Sequence, residues 1–469
     1  MASKDGGKSL QDLIDDVPSL TDYLYNETIA PHFRARTGLT AQFIPPEFTN
    51  WRDEQRAWRE TAILFDQSHH MPELFLRGPD ARKLLERVAI NSLANIGPDR
   101  AKQMVCCTPK GHVIGDCILY CHGENDFELV SSMPLQNWVE FQAISGGYNV
   151  KIERDDPTPY NPKGRRILYR FQLEGPHAAK IFDEVVEGNT PEIKFFNVAR
   201  LKIAGCQVTV LRHGMAGHMG AEISGPYEEM DTVRNAILAA GAKYGIKQGG
   251  TRSYFSTLSE TGWMAYPLPG IYTDPDLRGY REWLPASSWE GNAQLGGSFV
   301  SNNIEDYYAT PYELGYEKIT KFDHDFIGRE ALEKSDINDH RKRVYLVWHH
   351  DDVVRVYASQ FGRGPRLKAI ELPVVYYGFP HFDEVRDRAG RLVGLSCHTC
   401  YSNNEGELVS LAMIDREIAE GTELSVTWGE PNGGSSKPHV EKHEMTDVRA
   451  TVAPVPYSEA VRKMQRAKI

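Results

Sequence analysis

Three short segments carry side chains whose types and spacing could do chemistry. The first, Phe65-Asp66-Gln67-Ser68-His69-His70-Met71, sets paired histidines beside Gln67 and Ser68. It offers neutral donors, acceptors and a group that titrates near neutrality, although a hydrogen-bonded structural histidine would use the same residues. The second, Arg212-His213-Gly214-Met215-Ala216-Gly217-His218-Met219-Gly220-Ala221-Glu222, runs through small residues to a single carboxylate. Small residues let a ligand approach the backbone, and one carboxylate can grip a pair of N–H donors on a flat heterocycle. An ordinary surface strand is the competing reading. The third is Arg252-Ser253-Tyr254, followed by Glu260-Thr261-Gly262-Trp263. Tyrosine brings a phenolic proton with a reference pKa of about 10, and tryptophan a stacking face; core packing would use both equally well.

The elements that must position these groups announce themselves by repetition. Residues 73–88 read E-L-F-L-R-G-P-D-A-R-K-L-L-E-R-V, and residues 170–185 read R-F-Q-L-E-G-P-H-A-A-K-I-F-D-E-V. Gly78 matches Gly175, Pro79 matches Pro176 and Ala81 matches Ala178. Each copy alternates as a half-buried strand does (Leu74, Leu76; Phe171, Leu173), turns at glycine, and starts a helix with proline in its first turn. Two copies are too few for a solenoid, so the repeat predicts two related α+β halves packed face to face, with a ligand cleft between them.

Around the repeats, strands are expected at Gln103–Thr108, His112–Tyr120, Phe127–Ser131 and Tyr148–Glu153, with a helix near Leu135–Ile144. A polar linking stretch, Asp155–Arg165, precedes the second half, which continues through Val208–Arg212, Ala221–Ser224 and a helix over Tyr227–Ala240. Residues 10–60 look helical and rich in aromatics, broken at Pro45–Pro46. Beyond about residue 335, Val344–Trp348, Leu392–Gly394, Leu424–Trp428 and Val448–Val452 alternate between Gly-rich turns, the pattern of a separate β-barrel. The expected division is 1–165, 166–335 and 336–469.

With 469 residues and a formal charge of −11 spread along the chain, there is no basic stripe of the kind a nucleic-acid partner requires. No apolar run approaches the roughly 20 residues that span a bilayer, and the polar N-terminus lacks a signal core, so a cytoplasmic setting is expected. Seven cysteines without framework spacing suit that setting. The lone Cys397–Cys400 pair lacks the further ligands a zinc site needs, so no metal is expected. Nothing in the sequence fixes the oligomeric state.

Taken with Thr310-Pro311-Tyr312-Glu313-Leu314-Gly315, with Lys321 to Leu332, and with the ending Leu411-Ala412-Met413 and Gly421-Thr422-Glu423-Leu424, these segments resemble the glycine-cleavage T-protein (aminomethyltransferase) family over nearly the entire chain. Gln67 to Met71, Tyr280 to Pro285, Gly297 to Val300 and Asn303 to Tyr308 are similar to one branch, the tetrahydrofolate-dependent aryl O-demethylases. The resemblance implies an α+β fold with two duplicated halves, a central cleft and a C-terminal barrel. It implies tetrahydrofolate as cofactor and a small methoxylated aromatic as substrate, such as vanillate, syringate, 3-O-methylgallate or dicamba.

By the same resemblance, Glu222 would bind the pterin ring, with Trp263, Val130 and Gln172 on the folate side. Gln67, His69 and Ser132 would face the aromatic substrate, and Tyr254 and His70 would be catalytic. The step implied is methyl transfer from an ether oxygen to a pterin nitrogen. Tyr254, with an acidity close to that of the phenol formed, or else His70, would protonate the departing oxygen. Two positions depart from the pattern. Gly115 replaces the first of two acids expected in Val113-Ile114-Gly115-Asp116, which argues against an aminomethyl donor. Ser132 stands where the vanillate-type branch is expected to carry an arginine for the substrate carboxylate.

Overall fold

Each copy of the repeat folds as a strand, a glycine turn and a helix, as its alternation and its Gly-Pro pair predict. The structure is a computed structural model that describes residues 3–25, 43–215, 220–375, 377, 380–434 and 440–466. Ala216 to Met219, and residues 26–42 of the N-terminal stretch, lie outside the described residues.

The first part of the chain supplies β1 (Ala62–Asp66), β2 (Glu73–Arg77), β3 (Arg100–Cys107), β4 (Val113–Gly123), β5 (Asp126–Ser131) and β6 (Lys151–Asp155). The second supplies β7 (Leu168–Glu174), β8 (Val198–Ile203), β9 (Cys206–Arg212), β10 (Gly220–Pro226) and β11 (Ile246–Gly249). They form two sheets, ordered β3-β4-β5-β2-β6 and β8-β9-β10-β7-β1-β11. The repeat strands β2 and β7 hold the same place in each. The turn after them needs glycine: Gly78 has φ +144° and Gly175 φ +122°. A Cβ would stand 2.5 Å from the Asn149 carbonyl at the first and 2.7 Å from the Thr61 carbonyl at the second.

A strand crossing ties the halves together. β1, which precedes the first copy, lies in the second sheet, where it occupies the place β6 has in the first. β6, which precedes the second copy, completes the first sheet. The first sheet is thus built wholly from strands before residue 165, whereas the second takes β1 from that side of the chain.

Each sheet turns its apolar face outward under helices. Leu74, Leu76, Leu119 and Leu129 pack with Leu84 and Leu85 of the helix Ala81–Val88 and Leu135 and Val139 of the helix Met133–Ser145. Leu64, Phe171, Leu173 and Ile223 pack with Ile181 and Phe182 of the helix Ala178–Val185 and Val233 and Ile237 of the helix Met230–Gly241. The expectation of half-buried repeat strands is corrected here. The opposite faces, with Glu73 on β2 and Arg170, Gln172 and Glu174 on β7, are buried as well, because the two sheets meet across them.

The barrel is present and closed. β12 (Lys342–Trp348), β13 (Asp383–Arg386), β14 (Leu392–Ser402), β15 (Glu407–Ile414), β16 (Glu423–Trp428) and β17 (Thr446–Ala453) run in the order β12-β15-β14-β13-β16-β17 around a core that includes Leu346, Trp348, Val426 and Trp428. Cys397 and Cys400 lie buried in β14. Among the described residues no helix is long and apolar enough to cross a membrane.

Candidate active site

Strand alternation decides which residues share the inner face. Phe65 on β1 pairs with Gln172 on β7, which pairs with Glu222 on β10, so all three project to one side. Gln67 follows two residues after Phe65, on the same side, and its backbone N–H is bonded to the Arg170 carbonyl at 2.8 Å.

Tyr254 comes to this face from the short helix Thr251–Ser256. That helix is docked by Glu54, a fully buried carboxylate on the helix Trp51–Glu60. Glu54 accepts from the backbone N–H groups of Phe48 (2.7 Å), Thr49 (3.0 Å) and Gly250 (2.9 Å), and from the Ser253 hydroxyl (2.6 Å). Gln55 ties the same helix to the barrel, donating to Ser256 Oγ (2.8 Å) and the Tyr401 carbonyl (3.1 Å). Tyr254 then lies with its ring edge on Phe65 (centroids 5.4 Å) and on His70 (4.7 Å), and Gln67 Nε2 donates to its hydroxyl at 3.2 Å.

The electrostatics assign these groups their protonation. Burial, with Arg166 and His69 nearby, pushes His70 down to about 3, so its imidazole is neutral across the physiological range. Among the described residues its Nε2 is buried without a hydrogen-bond partner, as is Oε1 of Gln67. Burial raises the Tyr254 phenol well above its ordinary value, only partly offset by the bond from Gln67. At neutral pH the side chain therefore carries its proton.

Glu222 lies two strand spacings from Phe65, roughly 10 Å across β7. Its Oε1 accepts from Tyr120 and from Arg170 Nη1 (2.5 Å); among the described residues no bond lands on Oε2. Between Glu222 and Phe65 stands Gln172, whose Nε2 donates to the His213 carbonyl at 3.0 Å while its Oε1 is buried with no partner among the described residues. Glu222 and Gln172 are cross-strand partners, so their acceptor oxygens belong to neighbouring side chains, and the buried one on Gln172 is costly unless something donates to it.

Trp263 follows Gly262, a left-handed residue (φ +68°) at which a Cβ would strike Val455 of the barrel at 2.3 Å. Its indole N–H donates to Asp116 Oδ2 at 2.9 Å, and Gln103 donates to the same oxygen at 2.7 Å. Burial pushes Asp116 up to about 6 against the pull of those bonds. Asp116 shares the inner face of β4 with Tyr120, about 13 Å along the strand, and holds Trp263 at that point.

The remaining expected residues divide. Val130 packs between the sheets with Tyr120 and Leu211. His69 is not brought to Tyr254: its Nδ1 is 2.9 Å from Thr158 Oγ1, its Nε2 3.9 Å from Asp66, and its ring stacks on Phe43 at 4.7 Å. Ser132 heads the helix Met133–Ser145 and lies beside Gly115, where a Cβ would come within 3.4 Å of its hydroxyl; it is not among the groups around Tyr254.

Sequence reasoning passed over Arg170 and Tyr120, which bond Glu222, Glu73 and Glu128, which hold Arg170, and Glu54, which docks the Tyr254 helix. One signal existed. In R-F-Q-L-E the residues alternating with Phe171 and Leu173 are all polar, which in a lone strand reads as a solvent face.

Known proteins are similar to this chain in sequence and in fold. The sequence profile of the GCVT N-terminal domain matches residues 34–267. A syringate O-demethylase from Sphingobium sp. (strain NBRC 103272 / SYK-6) is 44% identical over 456 residues, 97% of each chain. A sesamin methylene transferase from Sinomonas sp. (strain No.22) is 30% identical over 431 residues, covering 88% of this chain and 90% of that one. Among solved structures, the glycine cleavage system aminomethyltransferase T from Bartonella henselae has the same fold, with TM-score 0.59 over 89% of this chain and 92% of that one at 17% identity. The chain belongs to the glycine-cleavage T-protein (aminomethyltransferase) family and, within it, to the branch that contains the syringate O-demethylase.

Proposed function

We propose that the protein transfers the methyl group of a methoxylated benzoate to tetrahydrofolate, releasing a phenol and 5-methyltetrahydrofolate. The observation that carries this reading is the shared face of Glu222 and Tyr254, with Gln172 between them and Gln67 and His70 beside the phenol. The residues fit a pterin. Its ring amide N–H and amino group are neighbouring donors, and Glu222 Oε2 and Gln172 Oε1 are neighbouring acceptors without a partner among the described residues. Trp263 adds a flat, half-buried ring held by Asp116. When bound, tetrahydrofolate supplies the nitrogen that takes the methyl group.

The chain's own contribution is alignment and a proton. A cleft that clamps two flat molecules converts a two-body encounter into a near-attack geometry. As the carbon–oxygen bond breaks, its electron pair stays on oxygen, and that oxygen must be stabilised. Gln67 donates into the Tyr254 oxygen, so the phenolic hydrogen is not used in that bond and is available to the ether oxygen. His70, neutral, supports the ring of Tyr254 and offers its open Nε2 to a substituent of the substrate.

The substrate we favour is syringate or a close methoxybenzoate, on the strength of the 44% relative. An amine donor fits less well, since Gly115 brings no carboxylate. The test is incubation with tetrahydrofolate and, separately, syringate, vanillate, 3-O-methylgallate and dicamba, following 5-methyltetrahydrofolate and the matching phenol by liquid chromatography. Equimolar appearance of the two products with at least one acid is expected. No methylated folate from any methoxyarene would overturn the proposal.

A further inference from the structure

We propose that Arg170 is a positioning residue for folate: it fixes the carboxylate of Glu222 so that one oxygen is spent inside the protein and the other is presented to the pterin. This rests on the reading of Glu222 as the pterin-binding carboxylate and adds the device that orients it.

A guanidinium has five N–H donors in a rigid plane. In Arg170, 1% exposed, each has a partner. Nε donates to Glu73 Oε1 (3.0 Å), Nη2 to Glu73 Oε1 (2.8 Å) and Glu128 Oε1 (2.5 Å), and Nη1 to Tyr120 Oη (3.0 Å) and Glu222 Oε1 (2.5 Å). A saturated planar group cannot rotate without breaking several bonds at once. Tyr120 closes the arrangement, taking a hydrogen bond from Arg170 and donating its own proton to Glu222 Oε1. Glu222 is thereby held at one oxygen by two donors, and its plane is set before any ligand arrives.

Glu73 and Glu128 have the complementary task of holding Arg170. Glu73 is itself held 3.5 Å from Arg166, which forms an ion pair with Asp155 at 3.0 Å, and Glu128 Oε2 lies 2.7 Å from His122 Nε2. Burial pushes Glu73 up to about 7, as expected where two guanidinium groups serve four carboxylates. Lysine at position 170 would keep the charge and lose the planar fork, with three donors in place of five. That makes Arg170→Lys a test of geometry rather than of charge.

The experiment measures dissociation constants for tetrahydrofolate (tryptophan fluorescence) and for syringate (calorimetry), with melting temperatures, in Arg170→Lys, Tyr120→Phe, Glu222→Gln and Arg170→Lys/Glu222→Gln. Each single change is expected to weaken tetrahydrofolate binding by about tenfold or more while syringate binding changes little. The double variant should bind folate no worse than Glu222→Gln, because Arg170 acts through Glu222. Wild-type folate affinity in Arg170→Lys alongside a loss in Glu222→Gln would overturn the proposal. Should Arg170→Lys fail to fold, Tyr120→Phe decides, since it leaves the ion cluster whole; unchanged folate affinity there overturns it equally. Unchanged affinity in Glu222→Gln would instead sink the underlying reading of the pterin site.

Discussion

Glu73 and Arg170 occupy the same position in the two copies of the repeated segment, and they face each other as a buried ion pair, with two guanidinium donors on one carboxylate oxygen at 2.8 and 3.0 Å. The duplication thus placed two equivalent strands across a shared interface, and the sequence diverged to opposite charges where they meet. A buried pair of this kind adds little net stability over an apolar one, but breaking it is expensive. Its value here lies in what it holds: Arg170 is the link from this pair to Glu222.

Tyr254→Phe removes the phenolic hydrogen while keeping the ring against Phe65 and His70. Turnover should fall by about 10²–10⁴-fold, the usual contribution of a positioned proton donor. Folate affinity should be retained. Steady-state kinetics with a parallel folate titration check both; near-normal turnover would remove Tyr254 from the proton-donor role.

The histidine beside it makes a prediction about pH. His70 is held at about 3 in the folded protein against 6.5 ordinarily, so below pH 6.5 the unfolded chain takes up a proton that the folded one refuses. Stability present above pH 6.5 is therefore lost progressively as pH falls toward 3. The slope approaches about 1.4 kcal/mol per pH unit for one such group. Urea unfolding at pH 7.5 and 5.5 should show wild type losing roughly 1 kcal/mol more than His70→Gln over that interval. Equal losses would mean that the imidazole is solvated.

The repeat turns should be equally intolerant of a side chain. Gly78→Ala and Gly175→Ala each force a Cβ into a neighbouring carbonyl at a positive φ. Each should destabilise by about 1–3 kcal/mol or more in denaturant unfolding. A mild effect at one site only would show that its crossing strand can shift.

Glu54→Gln tests the dock of the Tyr254 helix. All four bonds to this carboxylate are accepted, so an amide must turn one NH₂ toward donors. A stability loss of about 1–3 kcal/mol is expected, with a fall in kcat while folate binding holds. Thermal melts and kinetics read the two effects separately; unchanged kcat would mean the helix keeps its place without Glu54.

The sequence by itself determined the local units. The two strand–turn–helix copies, the glycine at each turn, the helix near Leu135–Ile144 and the alternating strands of the barrel follow from periodicity and backbone sterics, which act over a few residues. Family resemblance supplied Glu222, Tyr254, Gln67 and His70 as a set. β15 escaped notice because it is buried along nearly its whole length and shows no alternation. β1 escaped because its partner β7 lies about a hundred residues away.

Only the tertiary structure decided what the polar face of β7 is for. Arg170, Gln172 and Glu174 have the spacing of a solvent-facing row, and no local rule distinguishes that from a row facing a second sheet. The crossing of β1 into the second sheet ties the halves together, and the two sheets meet over that face and remove it from water. An arginine that would otherwise be a solvated surface charge then becomes the fixed partner of three carboxylates. The same closure parted His69 from His70, because adjacent residues leaving a strand project to opposite sides, one toward Thr158 and the other toward Tyr254.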